Sequence, residues 1–349
     1  MSIITELSSI QTRLTRYGLP VCFVLGVMGN LLNICVFAQK HLRINSCSIY
    51  FINTSIFNFL VMFFGIVPIV YTSYSSYDLA SYSVSYCKFR SYMVHVLLMI
   101  SRFSVALAAF DRFVACSSNP AIRSLNQRHI AIKLVIVICL LWLIIPIHMI
   151  IQVNIQMPAR RCGGSDVYSF IYGIYAAIVT ALPLIIMIIF SYFAIRNLHH
   201  VRSRVQATGH TNDRSTARIK KRDIQFILLV VSEVIIYFFS TVLFPVYSIY
   251  VAITASTAKD ATRVAIENFL RYLTLSFLLY VNSCSIFYVH LVASKAFRQE
   301  CKFLFCRFYK PNRISHVSYS ATGTRNVKKS VQIIYNKYPM DTSYKQAHA

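Results

Sequence analysis

Charged side chains are scarce in this 349-residue chain, at 13% of its residues. A soluble domain carries about twice that fraction, so an ordinary water-facing surface is excluded. Glycine and proline are scarce, nine of each, and tryptophan occurs once. There is no internal repeat and no low-complexity tract. Enzyme chemistry finds no foothold: no HExxH pair, no Cys/His cluster at metal spacing and no Gly-rich phosphate-cradling loop are present. No cofactor is expected. No basic segment and no small-residue cleavage site precede the first apolar block, so no cleavable signal peptide is expected.

What is abundant is apolar and aromatic. Hydrophobic residues make up 56% of the chain, with 23 tyrosines and 25 phenylalanines. They come in long blocks rather than amphipathic stripes, which makes lipid the natural solvent. Seven blocks are long enough to span a bilayer: 17–39, 49–71, 87–116, 129–153, 169–197, 223–251 and 265–291. The fold expected is an all-α membrane protein, a seven-transmembrane helix bundle. The layout is a short N-terminus (1–16), the bundle (17–291), an amphipathic helix (292–306) and a polar tail (307–349).

The net charge of +24 raises nucleic acid as a partner, but the basic residues lie between apolar blocks, and topology explains them better. With the N-terminus outside, most of the 35 lysines and arginines fall in inner segments or the tail, as short basic loops require. The ten cysteines agree with that orientation. Only Cys87, opening the third block, and Cys162, in the loop after the fourth, face the oxidising side. Two outer cysteines allow one pairing.

Seven spans, N-terminus out, with this cysteine pair, resemble the rhodopsin-like (class A) G-protein-coupled receptors. Gly29-Asn30 is similar to the family's GN pair. Asp111-Arg112-Phe113 stands at the family's interval from Cys87, where its DRY motif closes the third span. Trp142, Pro183 and Pro245 sit where the family places a fourth-span tryptophan and two helix-kinking prolines. Phe239, six residues before Pro245, matches the aromatic that packs in its transmission layer. Ser294-Lys295-Ala296-Phe297-Arg298 looks like the start of its eighth helix on the inner leaflet, with Cys301 and Cys306 as palmitoylation candidates.

The departures are as informative. The family's mid-membrane aspartate is Asn58. Around it Ser101, Asn282 and Ser283 preserve neutral partners, but the carboxylate a hard cation prefers is gone. Leu243 replaces the toggle tryptophan. The NPxxY segment aligns with 286–290 and has neither its proline nor its terminal tyrosine. Ser191, with Tyr192 one place late, stands for the fifth-span tyrosine. Asn53-Thr54-Ser55 matches a glycosylation sequon but lies within a span. The chain is a divergent member.

The resemblance implies that Arg112 pairs with Asp111 at rest and, on activation, turns to line the cavity that takes a Gα helix. Arg102 is the unexpected arginine, roughly 15 Å from Arg112 along the helix axis. A charge at mid-membrane costs from about 2.5 to more than 10 kcal/mol, depending on method, so it should face the bundle with a partner. Glu233 is the only acid deep in the sixth span. It is expected to bridge the third and sixth spans, to Arg112 in preference to Arg102. Two alternatives remain for Arg102: replacing the missing cation beside Asn58 and Ser101, or satisfaction by water and backbone carbonyls.

At the outer end Val94 offers no counter-ion for a biogenic amine, and Tyr280 stands where opsins carry their Schiff-base lysine. Arg90, Arg271, Tyr247, Tyr250 and Tyr272 leave an amphipathic mouth suited to a peptide, with arginines for an acidic group. The implied activity is transduction of an extracellular ligand, peptide favoured, into activation of a heterotrimeric G protein at the plasma membrane. Arrestin at Ser315, Ser318, Ser320, Thr322 and Thr324, and anionic lipid at the basic run 214–222, are the further partners. The alternative from another class is a seven-helix transporter or channel using Arg102 and Glu233 as a polar pathway, though neither repeat symmetry nor broken midplane helices are visible.

Overall fold

A computed structural model describes residues 3–75, 77–158, 160–207, 214–254 and 257–309. The basic run's side chains and the tail's serines and threonines lie outside the described residues. Seven helices are long and apolar enough to cross a membrane: α1 Ile3–Phe37, α2 Ser46–Ser75, α3 Val84–Ala115, α4 Arg128–Gln152, α5 Val167–Leu198, α6 Ile224–Val251 and α7 Ala261–Ala293. Each of the seven blocks read from hydropathy is one of these helices. An eighth, α8 Lys295–Tyr309, follows α7 directly, its first turn capped by the Ser294 hydroxyl, which accepts from the Phe297 N–H at 3.2 Å. One antiparallel hairpin, β1 Asn154–Gln156 with β2 Arg161–Gly163, joins α4 to α5.

The chain forms two units, Met1–Lys302 and Phe303 onward. The first is the bundle with the opening turns of α8. The described part of the second, 303–309, is the remainder of that helix.

Within the bundle α3 is central: 72% of its most apolar window is buried, against 22% for α4. It packs most extensively on α2 and α5, while α7 packs on α1 and α6. Peripheral helices keep long apolar faces outward. On α4, Ile136, Val137, Leu140, Leu141 and Ile144 are all exposed, which only an apolar solvent tolerates.

Three local details shape the interior. The stretch read as a short N-terminal tail is helix, continuous with the first span, and Thr15 donates to the Tyr272 hydroxyl at 2.8 Å. A π-turn at Met62–Ile66 opens α2, and there Gly65 is obligatory, because any Cβ would collide with the Tyr280 ring. The sixth helix breaks at Val242, between helical segments ending at Thr241 and starting at Leu243. Pro245 causes it by withholding the N–H that the turn before would receive. Pro183 sits inside α5 with no break.

Candidate functional site

Polar side chains that a lipid-facing chain must satisfy internally run through this bundle in three levels. The first lies at the end carrying the disulfide between Cys87, opening α3, and Cys162 of β2. Just below it is an aromatic cluster that the sequence reading missed. The ring nitrogens of buried His95 meet the hydroxyls of Tyr175 at 3.1 Å and Tyr172 at 3.2 Å, and His148 meets Tyr168 at 2.9 Å. The α5 signal was available: Tyr168, Tyr172 and Tyr175 recur at helical spacing on one face.

The expected mouth residues are only partly gathered. Arg90 reaches the Gly65 carbonyl at a long 3.5 Å, and its buried Nε has no hydrogen-bond partner among the described residues. Tyr280 is buried beneath Gly65 rather than lining a mouth. Val94 is packed against the core, Tyr272 is held by Thr15, Arg271 is exposed and Tyr247 half-buried. Tyr250 belongs to an open groove with Asp260, Arg263 and Glu267. There Glu267 pairs with Lys259 at 2.7 Å and Arg263 at 3.2 Å, and the Tyr250 hydroxyl donates to it at 2.9 Å.

The middle level holds the neutral pocket residues. Ser101 donates to Asn58 Oδ1 at 2.7 Å, and Asn53 donates to Ser104 at 2.7 Å. Ser283 enters through its carbonyl, which accepts from Asn30 at 3.1 Å, while Asn282 belongs to a neighbouring cavity. That cavity is lined by Ser101, Arg102 and Val105 of α3, Met187 of α5, Glu233, Ile236 and Tyr237 of α6, and Asn282, Ser285, Ile286 and Val289 of α7. Water centres fit within it over about 20 Å3, room for about one water molecule.

Arg102 is 6% exposed. Its guanidinium carbon lies 5.3 Å from the centre of the Tyr237 ring, an attraction worth about 2 kcal/mol when desolvated. Tyr237 is fixed by donating to the Thr180 carbonyl at 2.9 Å. This corrects the role expected of Phe239, which is 68% exposed. At 3.6 residues per turn, positions two apart lie on nearly opposite faces, so with Tyr237 turned inward Phe239 points out of the bundle. The aromatic of this layer is Tyr237.

The third level is at the opposite end from the disulfide. Arg112 pairs with Asp111 at 2.5 Å, both buried, and lies 5.0 Å from the Phe226 ring centre. Glu233, expected to bridge to Arg112 or Arg102, pairs with neither among the described residues. Its partner is His290 of α7, with Nε2 to Oε1 at 2.8 Å. The approach is close in distance but off the direction of an aligned hydrogen bond, so neither carboxylate oxygen counts as hydrogen-bonded. It is a close polar contact between α6 and α7 rather than an aligned hydrogen bond.

His290 is fully buried, edge-on to Phe37, Phe51 and Phe297 at 6.0, 5.2 and 5.3 Å. Its Nδ1 meets Asn33 Oδ1 at 3.3 Å, and Asn33 donates to Ser55 at 3.0 Å. A chain Ser55–Asn33–His290–Glu233 therefore ties α2 and α1 to α7 and α6. His290 is the last residue of the segment read as a lost NPxxY; the structure gives it a partner on each side.

At α8, Cys301 is buried, and burial with the neighbouring Glu300 holds its thiol up at about 11. Cys306 is exposed. Of the two acylation candidates, only Cys306 presents its sulfur. Among the described residues no group of His, Cys, Asp and Glu is arranged to hold a metal ion.

Residues 29–319 match the family model described as 7 transmembrane receptor (rhodopsin family). No curated protein matches the chain.

Proposed function

The chain belongs to the rhodopsin family of seven-transmembrane receptors, and from that premise we propose that it transduces an extracellular ligand into activation of a heterotrimeric G protein. The observation that carries this reading is the buried Asp111–Arg112 pair at the end of α3 opposite the disulfide. Arg112 also lies against the Phe226 ring of α6 at 5.0 Å, so in this reading outward movement of α6 uncovers the guanidinium for a Gα segment. The Glu233–His290 contact joins α6 to α7 in the same region. It is placed to hold the closed state, since parting the helices leaves a buried charge without its partner.

In this reading the disulfide end lies outside, the chain resides in the plasma membrane, and the tail and basic run face the cytoplasm, where arrestin and anionic lipid would meet them. A peptide is the favoured ligand. The groove of Tyr250, Arg263 and Glu267 and the half-satisfied Arg90 offer both charge signs to a polar chain. The transport alternative rests on Arg102 and Glu233 facing one cavity, and that cavity holds about one water rather than a pathway. A peptide library screened on cells that express the chain with a promiscuous Gα tests the reading. A response that Arg112→Ala abolishes supports it; a response that survives this change refutes coupling through Arg112.

A further inference from the structure

The cavity between α3, α6 and α7 poses a charge problem, because it is bordered by the buried Arg102. Asn33 donates through its amide to Ser55, so its Oδ1 is the atom facing His290 Nδ1. A carbonyl oxygen only accepts, and Nδ1 must carry a hydrogen. Nε2 then stands 2.8 Å from Glu233 Oε1, off the direction of an aligned hydrogen bond, so the carboxylate is engaged from the α7 side.

Glu233 thus contacts His290 and makes no ion pair with Arg102 among the described residues. Among the described residues, Arg102, Glu233 and Tyr237 are the titratable side chains lining the cavity. The Tyr237 hydroxyl is committed to Thr180. The next charges along α3, Asp111 and Arg112, pair with one another. Arg102 makes no ion pair among the described residues, and its enclosed Nε has no hydrogen-bond partner. This guanidinium, 6% exposed and in no ion pair among the described residues, borders a space of about one water's size that Asn282 also lines.

We propose that this cavity binds one small monovalent anion of the chloride class, held by the Arg102 guanidinium and the Asn282 amide. Chemically it inverts a cation pocket: Asn58 supplies no carboxylate, and the fixed charge is positive. The anion would tie α3 to α7 and stabilise the packed bundle.

The test uses the purified full chain in lipid nanodiscs at constant sodium, with chloride replaced by gluconate. The melting midpoint should be higher in chloride by about 3 °C or more, and bromide should act as chloride does. Equal midpoints in chloride and gluconate would overturn the proposal. Arg102→Met should abolish the difference, and its persistence would place the anion elsewhere. Should that variant not fold, Ser285→Leu fills the cavity without touching the charge, with the same two outcomes. Glu233→Gln tests whether Glu233 is the counter-ion of Arg102: the chloride effect should persist in it. An effect absent from the native chain and present only in Glu233→Gln would show that Glu233 had been the counter-ion of Arg102, against the proposal.

Discussion

Glu233 of α6 and His290 of α7 meet at 2.8 Å in the interior of the bundle, with His290 inaccessible to solvent. The contact joins α6 to α7, so on the proposed function it bears on the opening of the bundle. Removing one partner leaves the other buried and uncompensated, the costliest way to break such a pair. In a two-state receptor that cost falls on the closed state and shifts the population toward the open one.

Glu233→Gln and His290→Phe should each raise agonist-independent nucleotide exchange about tenfold, which corresponds to about 1.4 kcal/mol of bias. Exchange measured on matched amounts of purified protein checks this. Unchanged basal exchange in well-folded variants would show that the pair does not hold the closed state.

Tyr237 and Phe239 should behave oppositely when shortened. Tyr237→Leu removes the ring beneath Arg102 and the hydrogen bond to Thr180, and should lower the melting midpoint by about 4 °C or more. Phe239→Leu on the outward face should change it by less than about 1 °C. Thermal unfolding of the two variants side by side decides which aromatic belongs to this layer.

Loss of the disulfide should be severe. Cys87 and Cys162 are 75 positions apart, and a closed loop of that size is worth about 4 kcal/mol in the chain-entropy account. Cys87→Ser, Cys162→Ser and the double variant should reduce surface expression equally. A double variant much worse than either single would show that the sulfurs act separately.

The cysteines of α8 should differ in reactivity. With its thiol held at about 11, Cys301 is ionised in roughly one molecule in a thousand at pH 8, and only the thiolate reacts. Iodoacetamide followed by peptide mass spectrometry should therefore mark Cys306 and spare Cys301. Equal labelling would contradict the burial of Cys301.

Much of this architecture was legible because the bilayer demands long apolar helices and leaves few alternatives. The seven blocks, the Cys87–Cys162 pair and the adjacency of Asp111 to Arg112 needed only hydropathy and neighbouring positions. Arg102 was legible as buried because a mid-membrane charge has nowhere else to go. Its surroundings were not, since they depend on helix rotation: spacing from Pro245 set Phe239 inward, whereas Tyr237 is the ring that meets Arg102. His290 was hidden for another reason. Segment 286–290 was judged by the residues it lacks, and a histidine's role depends on what α1 and α6 bring to it. The cluster around His95 likewise needs α3, α4 and α5 together.

The central claim is that this chain opens an inner cleft onto a G protein. Guanine-nucleotide uptake by purified Gα subunits of each class, with the purified chain in lipid vesicles and no ligand added, tests it most directly. The expected result is accelerated uptake by one Gα class, stronger with Glu233→Gln and abolished by Arg112→Ala. No acceleration by either the native chain or Glu233→Gln, with every Gα class, would contradict it.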